Sequence, residues 1–356
     1  MILVICLCAS SISCISMYSF YKTGIIGLKP FATQVIAVVL GAIAACVISS
    51  IDYVILAKLW KIYTPFALFL VLLTFTPLGI TPADTDDKAW LNLGVTTLQP
   101  SELLKLAFIF TFSLHLVKVG ENINKPKDFL KLCIHGAIPT LLIVKQGDLG
   151  SALVFFAIFV AMMFAGGLSL KFIAVGITGG VVAAPLIWNF LLPAHLQKRF
   201  LVALHPETDI LDKGMQQYKG RIALGSGGLD GRGLFFDNLF NVPKAHNDFI
   251  FSYIGQTLGF VGCIITLLII VALCVKILLT ARMAKDNLGM YICIGVFAIY
   301  LFQSIVNIGM VLCVLPVIGI TLPLFSSGGT SVLVSYMAIG MVMSVYRVNK
   351  KEMMFD

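Results

Sequence analysis

Hydrophobic residues occur in long runs separated by short polar connections. A helix needs roughly 20 mostly apolar residues to cross the hydrocarbon core of a membrane. Ten stretches of about that length lie between charges, Pro or Gly, at 1–20, 31–51, 62–80, 100–117, 129–146, 150–167, 172–192, 249–275, 289–312 and 330–346. We interpret the first as a membrane span rather than a signal peptide, because no basic n-region or small-residue cleavage site accompanies it. The pattern predicts an all-α polytopic integral membrane protein with about ten transmembrane helices in a single domain, 1–356.

Lys and Arg are unevenly distributed over the short connections. Those on one side of the predicted membrane hold thirteen of these residues, and those on the other side hold four, namely Lys22, Lys29, Lys88 and Lys145. Short cytoplasmic loops carry the excess of positive charge in membrane proteins. The sequence therefore predicts that both termini are cytoplasmic.

The connection between the seventh and eighth spans, 193–248, is much longer than the others and carries charges of both signs. Long segments cross the membrane largely regardless of charge, so this one is predicted to be a large extracytoplasmic loop. Loops of this length are usually functional or disordered. The apolar insertions at 222–224 and 234–240 favour order.

The composition excludes several classes of protein. Of 356 residues, 59% are hydrophobic and 12% are charged, against roughly 25% charged in an ordinary globular domain. A soluble, disordered or nucleic-acid-binding protein is therefore excluded, and no nucleic-acid partner is expected. The nine cysteines lie in or beside apolar runs with no metal-binding spacing, which is typical of small packing residues.

Two acidic segments stand at predicted helix starts. In Gln99–Lys105, Pro100 and Glu102 suit the first turn of a helix. Lys105 lies roughly 9 Å along the helix axis from Gln99, and a charge at that depth needs a partner or a cavity. Two explanations of Lys105 remain open, a functional polar site and a structural ion pair with Glu102. Asp148, between Gly147 and Gly150, is better explained as the cap of the following helix.

Three further segments could carry chemistry. The glycine-rich stretch 225–233, close to Gln216 and Arg221, could form either a flexible turn or a phosphate-binding nest. Asp248 adjoins continuous apolar sequence, where burial raises a carboxyl pKa and suits it to act as a base; helix capping is the alternative. His246 is better explained as an interfacial hydrogen-bonding residue than as a catalyst. The Pro- and Gly-broken segment 315–331 indicates non-helical backbone that lines a cavity.

Five of these stretches resemble, in order, the SEDS family (shape, elongation, division and sporulation), and its RodA branch more than its FtsW branch: QPSELLK, QGDLGSAL, HPETD…GSGGLDGRG, KAHNDFIFSYIGQTLGFVG and LPVIGITLPLFSSGGTS. The resemblance implies a glycosyltransferase that polymerises lipid II into peptidoglycan. Such an enzyme works during elongation and rod-shape maintenance, at the outer face of the bacterial cytoplasmic membrane. The implied partners are lipid II, the undecaprenyl-pyrophosphate-linked glycan, a class B penicillin-binding protein and other membrane proteins of the elongation complex.

The resemblance also assigns residues. It implies that Asp248, the acid of the family's TDFIF motif, is the catalytic base for the acceptor hydroxyl. Substrate-binding roles are implied for Glu102, Lys105, Arg221, Ser326, Ser327, Gly328 and Gly329, and supporting roles for Asp148, His246 and Gln216. A divalent cation, Mg or Mn, is expected to help Lys105 and Arg221 stabilise the leaving pyrophosphate; its ligands are unassigned.

The chain departs from the family pattern at several positions: Gly147 replaces a proline, Lys244 a glutamate, Asn247 a threonine, Ser327 a tyrosine, and Gln256 with Thr257 two glutamates. Two other functions remain open at this point. A lipid II flippase would use the intramembrane charges as a polar path. A non-catalytic scaffold would only recruit a penicillin-binding protein.

Overall fold

The architecture comes from a computed structural model that describes residues 1–81, 87–92, 94, 97–191, 194–211, 214–235 and 239–352. Within these ranges the chain is mostly helical. The α-helices are α1 Ile2–Lys22, α2 Leu28–Ser50, α3 Tyr53–Lys58, α4 Trp60–Leu73, α5 Pro100–Val119, α6 Pro126–Lys145, α7 Leu149–Ala165, α8 Leu170–Leu186, α9 Ala194–Ala203, α10 Met215–Ser226, α11 Ile250–Arg282, α12 Asn287–Val311 and α13 Gly329–Glu352. Short 3₁₀ turns lie at Gly120–Asn124 and Pro206–Asp209, and a π turn at Ile187–Leu191.

Each of the ten predicted apolar runs coincides with helix. Among the described residues, seven helices are long and apolar enough to cross a membrane, and α4 and α7 are shorter apolar helices. The third prediction, 62–80, is wrong at its C-terminal end, because the helix ends at Leu73. Pro77 follows shortly afterwards and cannot continue a helix.

The all-α prediction also missed a small antiparallel sheet between α4 and α5. Its strands are β1 Gly79–Ile80, β2 Trp90–Asn92 and β3 Thr97–Leu98, paired in the order β1-β2-β3. The Asn92 side chain accepts a hydrogen bond from the Gly94 N–H at 2.8 Å, and Gly94 has a φ of 83°, which glycine adopts readily. The sheet brings the start of α5 beside the polar segment at 87–90.

The bundle is held by close helix packing. α13 lies along α2, and a Cβ on Gly340 would stand 3.0 Å from the Ala45 Cα. Small residues at such contacts let helix backbones approach each other in membranes. The Tyr336 hydroxyl donates to Ser10 Oγ at 2.9 Å and so ties α13 to α1. All nine cysteines are free.

The described parts of segment 193–248 are in contact with the bundle. Its helix α10 packs on α11, and the buried Gln217 amide donates to the carbonyl oxygens of Met310 at 2.9 Å and Leu315 at 2.8 Å. Met310 lies in the last turn of α12 and Leu315 in the segment that follows it. The loop therefore closes the end of α12.

The glycine-rich stretch 225–233 is a packing element rather than a phosphate-binding nest. Gly259 interrupts α11 with a φ of 65°, and the stretch binds the backbone there. Arg232 N–H donates to the Gln256 carbonyl at 2.9 Å, and Gly233 N–H to the Thr257 carbonyl at 3.0 Å. Because these N–H groups are used within the protein, they are not available to phosphate oxygens.

Candidate active site

A cavity of about 700 Å³ opens at the end of the bundle where α5 and α7 begin and α12 ends. Its wall comes from the start of α2, the β-sheet, the starts of α5 and α7, segment 193–248, and the broken segment 315–331. Of the residues predicted from sequence, the cavity is lined by Asp248, Glu102, Asp148, Gln216, Ser327, Gly328 and Gly329. The fold thus brings together motifs that lie more than two hundred residues apart in the chain.

Asp248 lies in the turn immediately before α11, and its side chain is partly open to the cavity. In the described part of the chain, no side chain hydrogen-bonds its carboxylate. Burial within the protein raises the pKa of Asp248 to about 6; the Lys244 ammonium opposes the shift and the Asp87 carboxylate adds to it. A carboxylate with that pKa is largely ionised near neutral pH and can accept a proton.

The turn before α11 sets the direction of Asp248. Lys244 has a φ of 56°, which is uncommon for a residue other than glycine and marks a strained backbone. Its carbonyl accepts from the N–H groups of Asn247 at 3.0 Å and Phe249 at 3.4 Å. Because Phe249 is fully buried, the neighbouring Asp248 faces the cavity. Asn307 fixes the turn from α12 by donating to the Asp248 carbonyl at 2.8 Å.

Glu102 and Lys105 form the pair that their spacing suggested. Lys105 Nζ lies 2.8 Å from Glu102 Oε1, and both side chains are buried. Glu102 lines the cavity, whereas Lys105 lies behind it. A buried ion pair of this kind keeps the Glu102 charge compensated beside the cavity.

Asp148 caps α7, as predicted. Its Oδ1 accepts from the Ser151 N–H at 2.8 Å, and its Oδ2 accepts from the Gln99 side chain at 2.8 Å. Burial raises the pKa of Asp148, and its hydrogen bonds to Ser151 and Gln99 oppose that shift. The residue therefore joins the starts of α5 and α7 and also lines the cavity.

The segment Ser326 to Gly329 is tied to the turn that carries Asp248. Ser326 Oγ donates to the Asn247 carbonyl at 2.7 Å, and Ser327 N–H donates to the His246 carbonyl at 2.8 Å. The buried Gln34 of α2 accepts from the Gly328 N–H at 3.2 Å. These contacts fix the position of the segment Ser326 to Gly329 relative to the turn that carries Asp248.

Four predicted site residues do not line the cavity: Lys105, Arg221, His246 and Ser326. Arg221 is about half exposed and lies 3.3 Å from Glu207. His246 packs edge-on against Phe20, and burial lowers the pKa of its imidazole. In this geometry His246 and Ser326 support the wall through their backbone and hydroxyl groups, and the substrate-binding role of Lys105 and Arg221 stays a prediction.

Four charged residues to which the sequence assigned no role in a site also line the cavity: Lys29, Asp87, Arg199 and Lys244. Each lies in a polar connection, where a charge is ordinary and gives no signal of a site. Gln303 also lines the cavity, and a polar residue inside an apolar span was a usable signal for it.

The described residues contain no group of three or more His, Cys, Asp or Glu side chains placed to hold a metal ion. The expected Mg or Mn stays a prediction.

The fold and the cavity define a multi-pass, mostly helical membrane protein with a carboxylate-lined site. The model of the FtsW/RodA/SpoVE family, described as "Cell cycle protein", matches residues 1–351. The chain therefore belongs to this family, the SEDS family that its motifs resemble.

Known relatives agree with this assignment. The chain is 32% identical to the probable peptidoglycan glycosyltransferase FtsW of Trichlorobacter lovleyi over 88% of this chain and 82% of that protein. It is 33% identical to the peptidoglycan glycosyltransferase MrdB of Escherichia coli K12 over 74% of this chain and 72% of that protein. A solved structure described as "Structural coordination of polymerization and crosslinking by a peptidoglycan synthase complex" superposes with a TM-score of 0.82 at 26% identity, covering 98% of this chain and 97% of that one. Because the two relatives are about equally similar, the RodA-branch assignment stays a prediction.

Proposed function

We propose that this chain is a peptidoglycan glycosyltransferase that polymerises lipid II into glycan strands. The observation that carries the proposal is Asp248, a carboxylate with a pKa of about 6 that faces a cavity of about 700 Å³. Membership of the FtsW/RodA/SpoVE family and relatives named peptidoglycan glycosyltransferases support it. The cavity volume suits the sugar and pyrophosphate groups of a lipid-linked substrate.

Asp248 accepts the proton of the acceptor sugar hydroxyl of lipid II. The hydroxyl oxygen then bonds to the anomeric carbon of the growing chain, and the bond from that carbon to undecaprenyl pyrophosphate breaks. Lys29 and Arg199 line the cavity and Lys105 does not, so the charges of Lys29 and Arg199 are better placed to stabilise the leaving pyrophosphate.

The membrane arrangement is part of the proposal. All ten apolar runs cross the bacterial cytoplasmic membrane, with both termini inside and segment 193–248 outside. The cavity then faces outward, since segment 193–248 contributes Arg199, Gln216 and Lys244 to its wall. A class B penicillin-binding protein works beside the chain, in line with the solved complex that couples polymerization and crosslinking. The motifs favour a role in elongation and rod shape.

The proposal is tested by purifying the chain in detergent, with and without a co-expressed class B penicillin-binding protein. Labelled lipid II and Mg²⁺ or Mn²⁺ are added, and glycan ladders are resolved on a gel. We expect ladders from the wild type and none from Asp248→Asn, which keeps the size of the side chain but cannot accept the proton. The matched control is Asp230→Asn, an exposed acid of segment 193–248 that does not line the cavity; it should retain full activity.

Two outcomes contradict the proposal. Full activity in Asp248→Asn removes this residue from the mechanism. Absence of ladders with partner and metal present favours a flippase, which a lipid II translocation assay in liposomes detects, or a scaffold.

A further inference from the structure

A buried amide on α12 faces the cavity. Gln303 is 5% exposed, and it lines the cavity. No residue in the described ranges hydrogen-bonds its side chain. Its carboxamide atoms are open to the cavity rather than sealed from it, so they can hydrogen-bond a polar group that enters the cavity.

The position of Gln303 relative to the proposed base follows from helix geometry. Asn307, four residues later on the same face of α12, donates to the Asp248 carbonyl at 2.8 Å and to the Ile320 carbonyl at 2.8 Å. With a rise of 1.5 Å per residue, Gln303 lies about 6 Å from Asn307 along the axis, on the side away from the end of α12. Gln303 therefore lies at the deep end of the cavity, about one helical turn beneath the turn that carries Asp248.

The deep end is polar but carries no uncompensated charge. Besides Gln303 it is lined by Ser151 of α7 and Glu102 of α5, and Glu102 is paired with Lys105 at 2.8 Å. The cationic lining residues Lys29, Arg199 and Lys244 all lie on segments outside these helices. A pyrophosphate is therefore better matched to the outer part of the cavity, and a neutral polar group to the deep end.

We propose that Gln303 is a substrate-binding residue whose carboxamide hydrogen-bonds a neutral hydroxyl or acetamido group on the sugar of the lipid-linked substrate. The proposal rests on the proposed function for the identity of that substrate. A carboxamide suits this role because it offers two N–H donors and a carbonyl acceptor at once. The contact therefore adds to the affinity of the cavity for the sugar.

The test is Gln303→Met, which keeps an unbranched side chain of similar size and removes the hydrogen-bonding groups. A neutral hydrogen bond contributes about 1 kcal/mol, which is about fivefold in affinity. We expect the dissociation constant for labelled lipid II, measured on the purified protein in detergent, to rise about fivefold. KM should rise by a similar factor with little change in kcat, which is the signature of lost uniform binding. The thermal unfolding midpoint should not fall, because an apolar side chain replaces an unpartnered amide.

The matched control is Ser304→Ala. Ser304 is the next residue of α12, it is 4% exposed, and its hydroxyl has no hydrogen-bond partner in the described part of the chain, but it does not line the cavity. The control should bind lipid II as the wild type does. Wild-type affinity and KM in Gln303→Met overturn the inference, and so does an equal loss in both variants.

The outcome is separable from that of the proposed function. If the wild type binds lipid II without forming glycan, the glycosyltransferase proposal fails and the binding comparison still decides the role of Gln303. If the wild type forms glycan and Gln303→Met binds normally, only the inference about Gln303 fails. If the wild type does not bind lipid II, both fail.

Discussion

Two charged residues of opposite sign act on Asp248 inside the cavity. Asp87 raises the pKa of Asp248 and Lys244 lowers it, while burial makes the largest contribution. If Asp248 must be ionised to accept a proton, the rate of polymerisation rises as pH increases through this pKa. The position of that rise therefore reports directly on the surroundings of one carboxyl group.

Replacing either neighbour should move the pH profile in a known direction. Asp87→Asn removes a negative charge, lowers the pKa of Asp248 and shifts the acid limb of kcat/KM to lower pH. Lys244→Met removes a positive charge, raises that pKa and shifts the acid limb to higher pH. The measurement is kcat/KM for lipid II between about pH 5 and pH 8. Three coincident profiles would show that Asp248 is not the group that controls the rate.

The sequence pattern identified some residues of the site and not others. Asp248, Glu102 and Asp148 could be found because each is an acid beside a long apolar run, where a charge needs a reason. Asp87 and Arg199 could not, because they lie in polar connections. Their place in the cavity depends on which connections the helix bundle brings together, and the sequence pattern contains no such information.

Among the helices, the packing of α10 against α11 depends on a glycine at the point of contact. A Cβ on Gly227, just after α10, would overlap the Gly255 carbonyl oxygen of α11, whereas a Cβ on Gly225 would meet nothing within 4 Å. Gly255 and Gly227 thus mark a point where two backbones touch. Segment 193–248 holds its cavity-lining residues in place through this contact.

Gly227→Ala and Gly225→Ala should therefore have different effects. Gly227→Ala forces the two backbones apart and should destabilise the protein by about 1–3 kcal/mol, as overpacking does. Gly225→Ala should be neutral or stabilising by up to about 1 kcal/mol, because alanine favours helix over glycine. Thermal unfolding in detergent provides the comparison. Equal midpoints in the two variants would mean that α10 is not seated on α11.

Helices were more predictable than the elements between them. An apolar run of about twenty residues favours a helix locally, and each of the ten runs contains one, although the helix of the third run ends at Leu73. The strands at 79–80, 90–92 and 97–98 are two or three residues long, and each depends on pairing with a segment elsewhere in the chain. The close contact between Gln217 and the end of α12 is also non-local, so neither feature could be read from periodicity.

At the scale of the whole molecule, the cavity is polarised along the bundle. Its deep end is bounded by α5, α7 and α12, which are candidate or shorter apolar spans. Its opposite end is formed by segment 193–248, including the turn that carries Asp248. A lipid-linked substrate carries its charged, sugar-bearing head at one face of the membrane. The direction in which the protein lies in the membrane therefore decides which pool of substrate the site can reach.

That direction can be measured with a membrane-impermeant maleimide in intact cells. Leu211 in segment 193–248 is 89% exposed, and Glu121 is exposed in the 3₁₀ turn after α5, on the side predicted to be cytoplasmic. We expect Leu211→Cys to be labelled in intact cells and Glu121→Cys only after the membrane is permeabilised. The parent chain sets the background, which should be low because its exposed cysteines, Cys8 and Cys46, lie within apolar helices that are predicted to span the membrane, out of reach of a water-soluble reagent. The reverse pattern would place the cavity at the cytoplasmic face, and Asp248 could then not serve a polymerase that builds the wall outside.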